Sequence, residues 1–177
     1  HGHRAERRHL PAPYVARPYR GSSDHAAMVH VLAAHRIANG DLELPTVAQL
    51  DLTYANLHDC DPDRDIALVE VDGSAVAYTR TSFEDLDSGV RDCIVFTPIL
   101  PECLTHGLWT AIVGASEAHM APWASEAERA QYRAFAHHPG PGLEPTGIAA
   151  WLEERGYGAT EWSASLVRPH LDDVADR

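Results

Sequence analysis

The chain has 177 residues and a mass of 19.4 kDa, enough for one ordinary domain and short of two. With 45% hydrophobic and 23% charged residues it has globular composition, which excludes a wholly disordered chain. Fourteen basic residues, all of them Arg, against 26 acidic ones leave a net charge of −12. That balance argues against nucleic acid as a partner and requires any anionic ligand to find a local pocket of backbone amides or a few Arg.

Cys60, Cys93 and Cys103 are odd in number and form no CxxC pair, a pattern of reduced thiols rather than of a disulfide framework. No apolar run has the length of a membrane span, and no signal-peptide core opens the sequence. The expectation is a soluble cytoplasmic domain with no membrane partner. Without an initiator Met, the sequence is expected to begin inside a longer product.

In chain order, residues 1–13 carry Arg4, Arg7, Arg8 and three His without apolar periodicity, and read as a basic N-terminal arm. Nothing beside those histidines completes a metal site. Tyr14 to Tyr19 reads as a short strand whose Pro18 is acceptable at a sheet edge. Gly21-Ser-Ser-Asp24 supplies turn and cap chemistry ahead of a helical stripe, Ala27, Met28, Val31, Leu32 and His35, that ends near Asn39-Gly40. A second helix follows Pro45-Thr46 and stops before the turn cluster Asp59-Cys-Asp-Pro-Asp63. Two β-rich runs, Ile66 to Val71 and Ser74 to Thr81, flank Asp72-Gly73, which predicts a hairpin with a tight type I′ turn. Asp92 to Thr97 is the next strand, ended by Pro98. Gly107 to Met120 is a helix with Leu108, Ala111, Ile112 and Ala115 on one face. Gln131 to Ala136 follows as a strand, His137 to Pro145 as a loop, Thr146 to Arg155 as a helix and Thr160 to Arg168 as a last strand. The order β-α-α-β-β-β-α-β-α-β describes one mixed α/β domain over 14–168, with 169–177 as a tail or linker.

This order resembles the GNAT superfamily of N-acetyltransferases. Arg17-Pro-Tyr-Arg-Gly-Ser-Ser-Asp24 is similar to the family's R-P-x-x-x-x-D entry into its first helix. The hairpin at Asp72-Gly73, the strand end Phe96-Thr-Pro-Ile-Leu-Pro-Glu102 and the closing unit Leu152-Glu-Glu-Arg-Gly156-Tyr157 resemble the family too. Val167-Arg-Pro-His-Leu-Asp-Asp-Val is similar to the junction after the first half of two-domain members of the mycothiol synthase type. The resemblance implies a mixed, mostly antiparallel sheet flanked by helices, with central strands that part near Phe96 and Tyr132. It implies acetyl-CoA as acyl donor, its pantetheine against backbone groups of Phe96, Thr97 and Ile99. The pyrophosphate is then expected on the amides of the next helix, around Thr105, His106, Gly107, Leu108, Trp109 and Thr110.

Within that loop Gly107 alone keeps the family residue. Leu104 stands in place of the family's Arg or Gln, and Trp109 in place of a glycine. Trp109 lies beside the Leu108, Ile112 and Ala115 face, so its indole is expected at the rim, partly shading the anion site. The family's thiolate-protonating Tyr aligns with Leu152. Tyr157, the nearest alternative, also reads as a packed aromatic. Asp92, Glu84 and Asp85 are the carboxylates near the central strands and the candidates for general base, each against a reading as a solvated loop residue. Cys93 reads as a small buried hydrophobe, and Cys103 lies beside the cofactor loop without an assigned base. His119, His137 and His138 lack metal-ligand spacing, so no metal is expected.

Two functions remain open. One is transfer of an acetyl group to an amine of a small molecule, in which a deprotonated amine is positioned against the thioester and backbone N–H groups near Phe96 to Ile99 polarise its carbonyl. The other is a catalytically silent GNAT-like domain with a structural, ligand-sensing or association role. A homodimer or a second GNAT-like domain is the expected macromolecular partner.

Overall fold

The computed structural model describes residues 10–135 and 147–158, with the side chain of residue 149 excepted. Most of the basic arm, the His137 to Pro145 loop, the last predicted strand and the tail therefore lie outside the described residues. Five strands, β1 (Val15–Pro18), β2 (Ile66–Val71), β3 (Ser74–Asp85), β4 (Arg91–Phe96) and β5 (Ala130–Ala134), form one sheet in the order β1-β2-β3-β4-β5. The first three pairings are antiparallel and β4 with β5 is parallel, so the sheet is mixed and mostly antiparallel. The helices are α1 (His25–Ala38), α2 (Val47–Ala55), the single turn α3 (Pro62–Asp65), α4 (His106–Glu126) and α5 (Ile148–Glu154).

Local chemistry explains most boundaries. Asp72 and Gly73 adopt φ of 50° and 78°, the left-handed pair that a type I′ turn requires. Thr46 and Gln49 form a reciprocal capping box at the start of α2. Helix α4 runs on past Met120 through Pro122 to Glu126, longer than its apolar stripe predicts. Its last turn is anchored by Trp123, whose ring packs against Phe83 of β3 and His119.

Side chains alternate across β3, and the two helical layers cover opposite faces. Tyr78 and Arg80 point towards α1 and α2, whereas Phe83 meets Trp123 of α4. Met28, Val31, Tyr78, Val95, Ile99, Leu108, Val113 and Met120 are buried between these layers. Leu10 packs partly buried against that core, so the arm joins the fold at its end. The Arg17-to-Asp24 motif has a physical basis. Arg17 makes a bidentate pair with Asp24 (2.8 and 2.9 Å) and donates its Nε to Glu70 (2.6 Å), which ties the edge strand, α1 and β2 together.

The central strands part at Phe96, as expected, but on β5 the point of parting lies at Phe135 rather than at Tyr132. The β4–β5 ladder is continuous from Arg91/Ala130 to Val95/Ala134, and Tyr132 pairs with Cys93. The strands do not part at Tyr132. The ladder ends only at Val95 and Ala134, beyond which Phe96 and Phe135 meet edge to face. Register is fixed by the buried alternation of Cys93 and Val95, which sequence spacing around Pro98 does not report.

Candidate functional site

Past the end of that ladder the chain keeps contact with β3 alone. Tyr78 N–H donates to the Pro98 carbonyl (3.2 Å) and Leu100 N–H to the Val76 carbonyl (2.8 Å), with Ile99 opposite Ala77. In an antiparallel pair flanked by such bonds, the N–H and C=O of Ile99 point away from β3, in the plane of the sheet and on the β5 side. Nδ1 of His35, on α1, lies 3.3 Å from the Ile99 oxygen and 3.4 Å from its nitrogen. Thr97 is 5% exposed, and its hydroxyl is buried without a hydrogen-bond partner. A buried hydroxyl in that condition is costly unless a ligand supplies the partner.

The second part is the start of α4. Thr105 caps it, its Oγ1 accepting from Leu108 N–H at 3.2 Å. Thr105, His106 and Gly107 are exposed, and a Cβ at Gly107 would meet open space. The amides of His106 and Gly107 thus lie in exposed residues at the start of a helix of 21 residues, where the dipole favours an anion. The Thr110 hydroxyl donates to the His106 carbonyl at 2.7 Å and is spent on the helix itself.

Leu108 and Trp109 do not join that surface. Leu108 is 0% and Trp109 2% exposed, with Trp109 edge to face on Trp151 of α5 (centroids 5.7 Å apart). The rim position expected for Trp109 is therefore overturned. Sheet and α5 cover α4 together, which buries Trp109, Val113, Ser116 and Met120 beside the Leu108 and Ile112 stripe. The apolar stripe alone marks too narrow a face. With the indole turned inward, the bulk of Trp109 is removed from the exposed surface at the start of α4.

The three candidate catalytic groups sit elsewhere. Asp92, 2% exposed, accepts from Arg133 (2.7 Å) and Gln131 (3.2 Å). Glu84 pairs with Asp92 across the ladder and is exposed. Seven residues of chain separate Asp92 from Ile99, about 20 Å along an extended strand. The Tyr157 hydroxyl donates to Glu117 of α4 at 2.7 Å, and burial pushes its pKa up, so it holds its proton. The structure brings none of these three to Ile99. Cys93 is buried, Cys60 and Cys103 are half-buried, and all three thiols are free. His119 pairs with the buried Asp65 at 2.7 Å, and the described residues hold no cluster fit for a metal ion. No described helix is long and apolar enough to cross a membrane.

No sequence motif pointed to a cavity of about 360 Å³ between α1, α2, β3 and the end of β4. Leu32, Arg36, Tyr54, Tyr78, Arg80 and Phe96 line it, with Glu43 and Gln49 from the α1–α2 region. Its volume suits a small molecule. The Arg80 guanidinium lies over the rings of Tyr54 and Phe96, 5.4 and 5.5 Å from their centroids. Only chain folding brings α1 and β3 together here, so local spacing carries no signal of the site.

No protein-family model matches the chain, and no curated protein matches it either. Solved structures do. A GCN5-related N-acetyltransferase from Sphaerobacter thermophilus superposes with a TM-score of 0.61 at 21% identity, over 85% of this chain. The chain spans 45% of that protein's length. A predicted acetyltransferase from Clostridium acetobutylicum, solved with acetyl-CoA, gives 0.58 at 13% identity over 89% of this chain and 99% of its own. Glucosamine-6-phosphate N-acetyltransferase from Arabidopsis thaliana gives 0.50 at 12% identity, over 87% and 97%.

The chain has the GNAT acetyltransferase fold. In that fold the outward-facing Ile99 backbone, the unpartnered Thr97 hydroxyl and the exposed start of α4 at Gly107 follow one another along the chain from the end of β4 into α4. Replacing Gly107 with Phe is expected to leave the melting temperature within about 1 °C, because open space receives the ring. The same ring covers the amides, so calorimetric titration should show CoA binding weakened about tenfold or more. Unchanged affinity would remove the α4 terminus from the site.

Proposed function

We propose that this chain is an acetyl-CoA-dependent N-acetyltransferase acting on an amine of a small molecule. The observation that carries the reading is the Ile99 backbone, turned out of the β3 ladder next to an unsatisfied buried Thr97 hydroxyl. The GNAT fold and the acetyl-CoA bound to the Clostridium protein support the choice of donor. When bound, acetyl-CoA supplies a thioester carbonyl open to attack by an amine. Ile99 N–H is the donor placed to polarise that carbonyl, and the α4 amides at His106 and Gly107 hold the pyrophosphate.

The proton of the attacking amine goes to His35 in this reading. Its Nδ1 is within 3.4 Å of the Ile99 nitrogen, beside the reacting carbon, which Glu84, Asp92 and Tyr157 are not. His35→Ala is then expected to lower kcat about 100-fold, with CoA affinity kept. A longer parent chain, as the Sphaerobacter protein's length suggests, would add a second GNAT-like domain to this one.

The same contact is the specific observation favouring a silent domain, since the His35 ring covers the backbone that a thioester needs. The two readings separate cleanly. In a silent domain His35→Ala raises CoA affinity and creates no turnover. In the enzyme it abolishes most of an existing turnover. Acetyl-CoA at 100-fold over its Kd should stabilise the folded chain by about 2.7 kcal/mol in either case where binding survives.

A further inference from the structure

The cavity beside Ile99 carries an electrostatic pattern opposite to that of the whole chain. Arg36 and Arg80 line it against one carboxylate, Glu43, so its described lining is net positive in a protein of net charge −12. Neither guanidinium makes an ion pair with a carboxylate among the described residues; Arg36 donates only to the Glu43 backbone oxygen, at 3.3 Å. The other arginines without an ion pair among the described residues, Arg20, Arg64 and Arg129, are exposed to solvent. Arg17, Arg91, Arg133 and Arg155 each hold a carboxylate. A half-buried guanidinium without a counterion, in an acidic protein, is a site waiting for an anion.

Two phenols complete the pattern. Tyr78 is 1% exposed and lines the cavity, and both Arg36 and Arg80 act electrostatically on its hydroxyl. The Tyr54 hydroxyl is buried, under the influence of Arg80, and makes no hydrogen bond of normal geometry. Burial pushes the Tyr54 pKa up to about 12 and raises that of Tyr78 as well, so both stay O–H donors at neutral pH. Two guanidiniums and two phenol donors on one small cavity match the lone pairs of a carboxylate or phosphate.

We propose that this cavity is the acceptor site and that it selects amines carrying an oxyanion, a carboxylate or a phosphate, held by Arg36 and Arg80. The inference rests on the acetyltransferase reading for the word acceptor, but the anion site stands on its own geometry. Arg80 stacks between Tyr54 and Phe96, which fixes the guanidinium plane before the ligand arrives and limits the entropy lost on binding. Phe96 lies three residues from Ile99, which places the cavity next to the backbone group assigned to the thioester.

The test uses the full chain without CoA and measures binding by calorimetry for matched pairs: 4-aminobutyrate against 4-aminobutyramide, and phosphoethanolamine against ethanolamine. The anionic member of at least one pair is expected to bind tenfold or more tightly than its neutral counterpart. Which pair shows the larger ratio identifies the oxyanion. Arg80→Gln and, separately, Arg36→Gln should each remove about tenfold of that preference while leaving CoA affinity unchanged. Arg80→Lys, which keeps charge and stem, controls for loss of fold, with melting temperatures measured for all three. Equal binding within both pairs overturns the proposal. So does a loss of CoA affinity in the Gln variants, which would give the arginines to the cofactor. An anion preference without any CoA binding would keep the anion site and defeat the transferase reading instead.

Discussion

Trp109→Ala is expected to destabilise the domain by about 3–5 kcal/mol, the cost of deleting a large buried aromatic, and to leave CoA affinity no higher than before. The indole is 2% exposed, lies on the core side of α4 and meets Trp151 edge to face. Truncation leaves a cavity between α4, the sheet and α5, and also removes an aromatic pair. Native domains have only about 5–15 kcal/mol in hand, so this single change consumes a large share. For a chain of this length the loss corresponds to a fall in Tm of roughly 6–20 °C. Denaturant unfolding of wild type and variant measures the change, and titration with CoA on the folded fraction measures the second half. Tighter CoA binding by a folded Trp109→Ala protein would show that the indole does shade the pyrophosphate, against its position in the core.

Arg17→Ala should cost about 3 kcal/mol, at the low end for breaking a buried ion pair, because it leaves Asp24 uncompensated. Arg17 and Asp24 side chains are 14% and 7% exposed, and Asp24 also accepts from the Arg20 backbone at 2.7 Å. The Arg17 hydrogen bonds are the main cause that holds the Asp24 carboxyl below its ordinary value. A depressed carboxyl contributes stability that is fully present above the unfolded value of about 4 and is lost as pH falls through the folded value. The difference between wild type and Arg17→Ala should therefore be flat from neutral pH down to about 5 and shrink below about 4. Urea unfolding at a series of pH values measures it. A difference that stays constant to pH 2 would mean that packing of the Arg17 stem, not the charge pair, carries the effect.

These two residues also show how far the amino-acid sequence reaches. The Arg17-Pro18 dipeptide, with five residues between it and Asp24, marks Arg17 and Asp24 as a pair of interest, since a strand entering a helix through one 3₁₀ turn brings positions seven apart together. Trp109 is equally visible in the sequence, but its direction is not. A helix reports a stripe, and how wide that stripe is depends on whether one layer or two lie over it. Here α5 covers a second flank of α4, and a residue expected at the rim is core. Of the candidate site, Phe96, Thr97, Ile99, Thr105, His106 and Gly107 fall along one path in the fold, whereas Glu84, Asp92 and Tyr157 are held in pairings away from it.

What the sequence determined by itself is whatever hydrogen bonds and dihedral angles fix within a few residues. The Asp72-Gly73 turn, the Thr46–Gln49 capping box, the Thr105 cap of α4 and the alternation of the strands are of this kind. Those local commitments, taken in order, are enough to reach the GNAT-like element order. What only the tertiary structure decided involves residues far apart in the chain: the continuous β4–β5 ladder at Tyr132, the approach of His35 to Ile99 across 64 positions, and the cavity in which Arg36 meets Arg80. Such contacts form only once loop-closure entropy has been overcome by burial of the common core, and that balance is summed over the whole domain rather than written in any one segment.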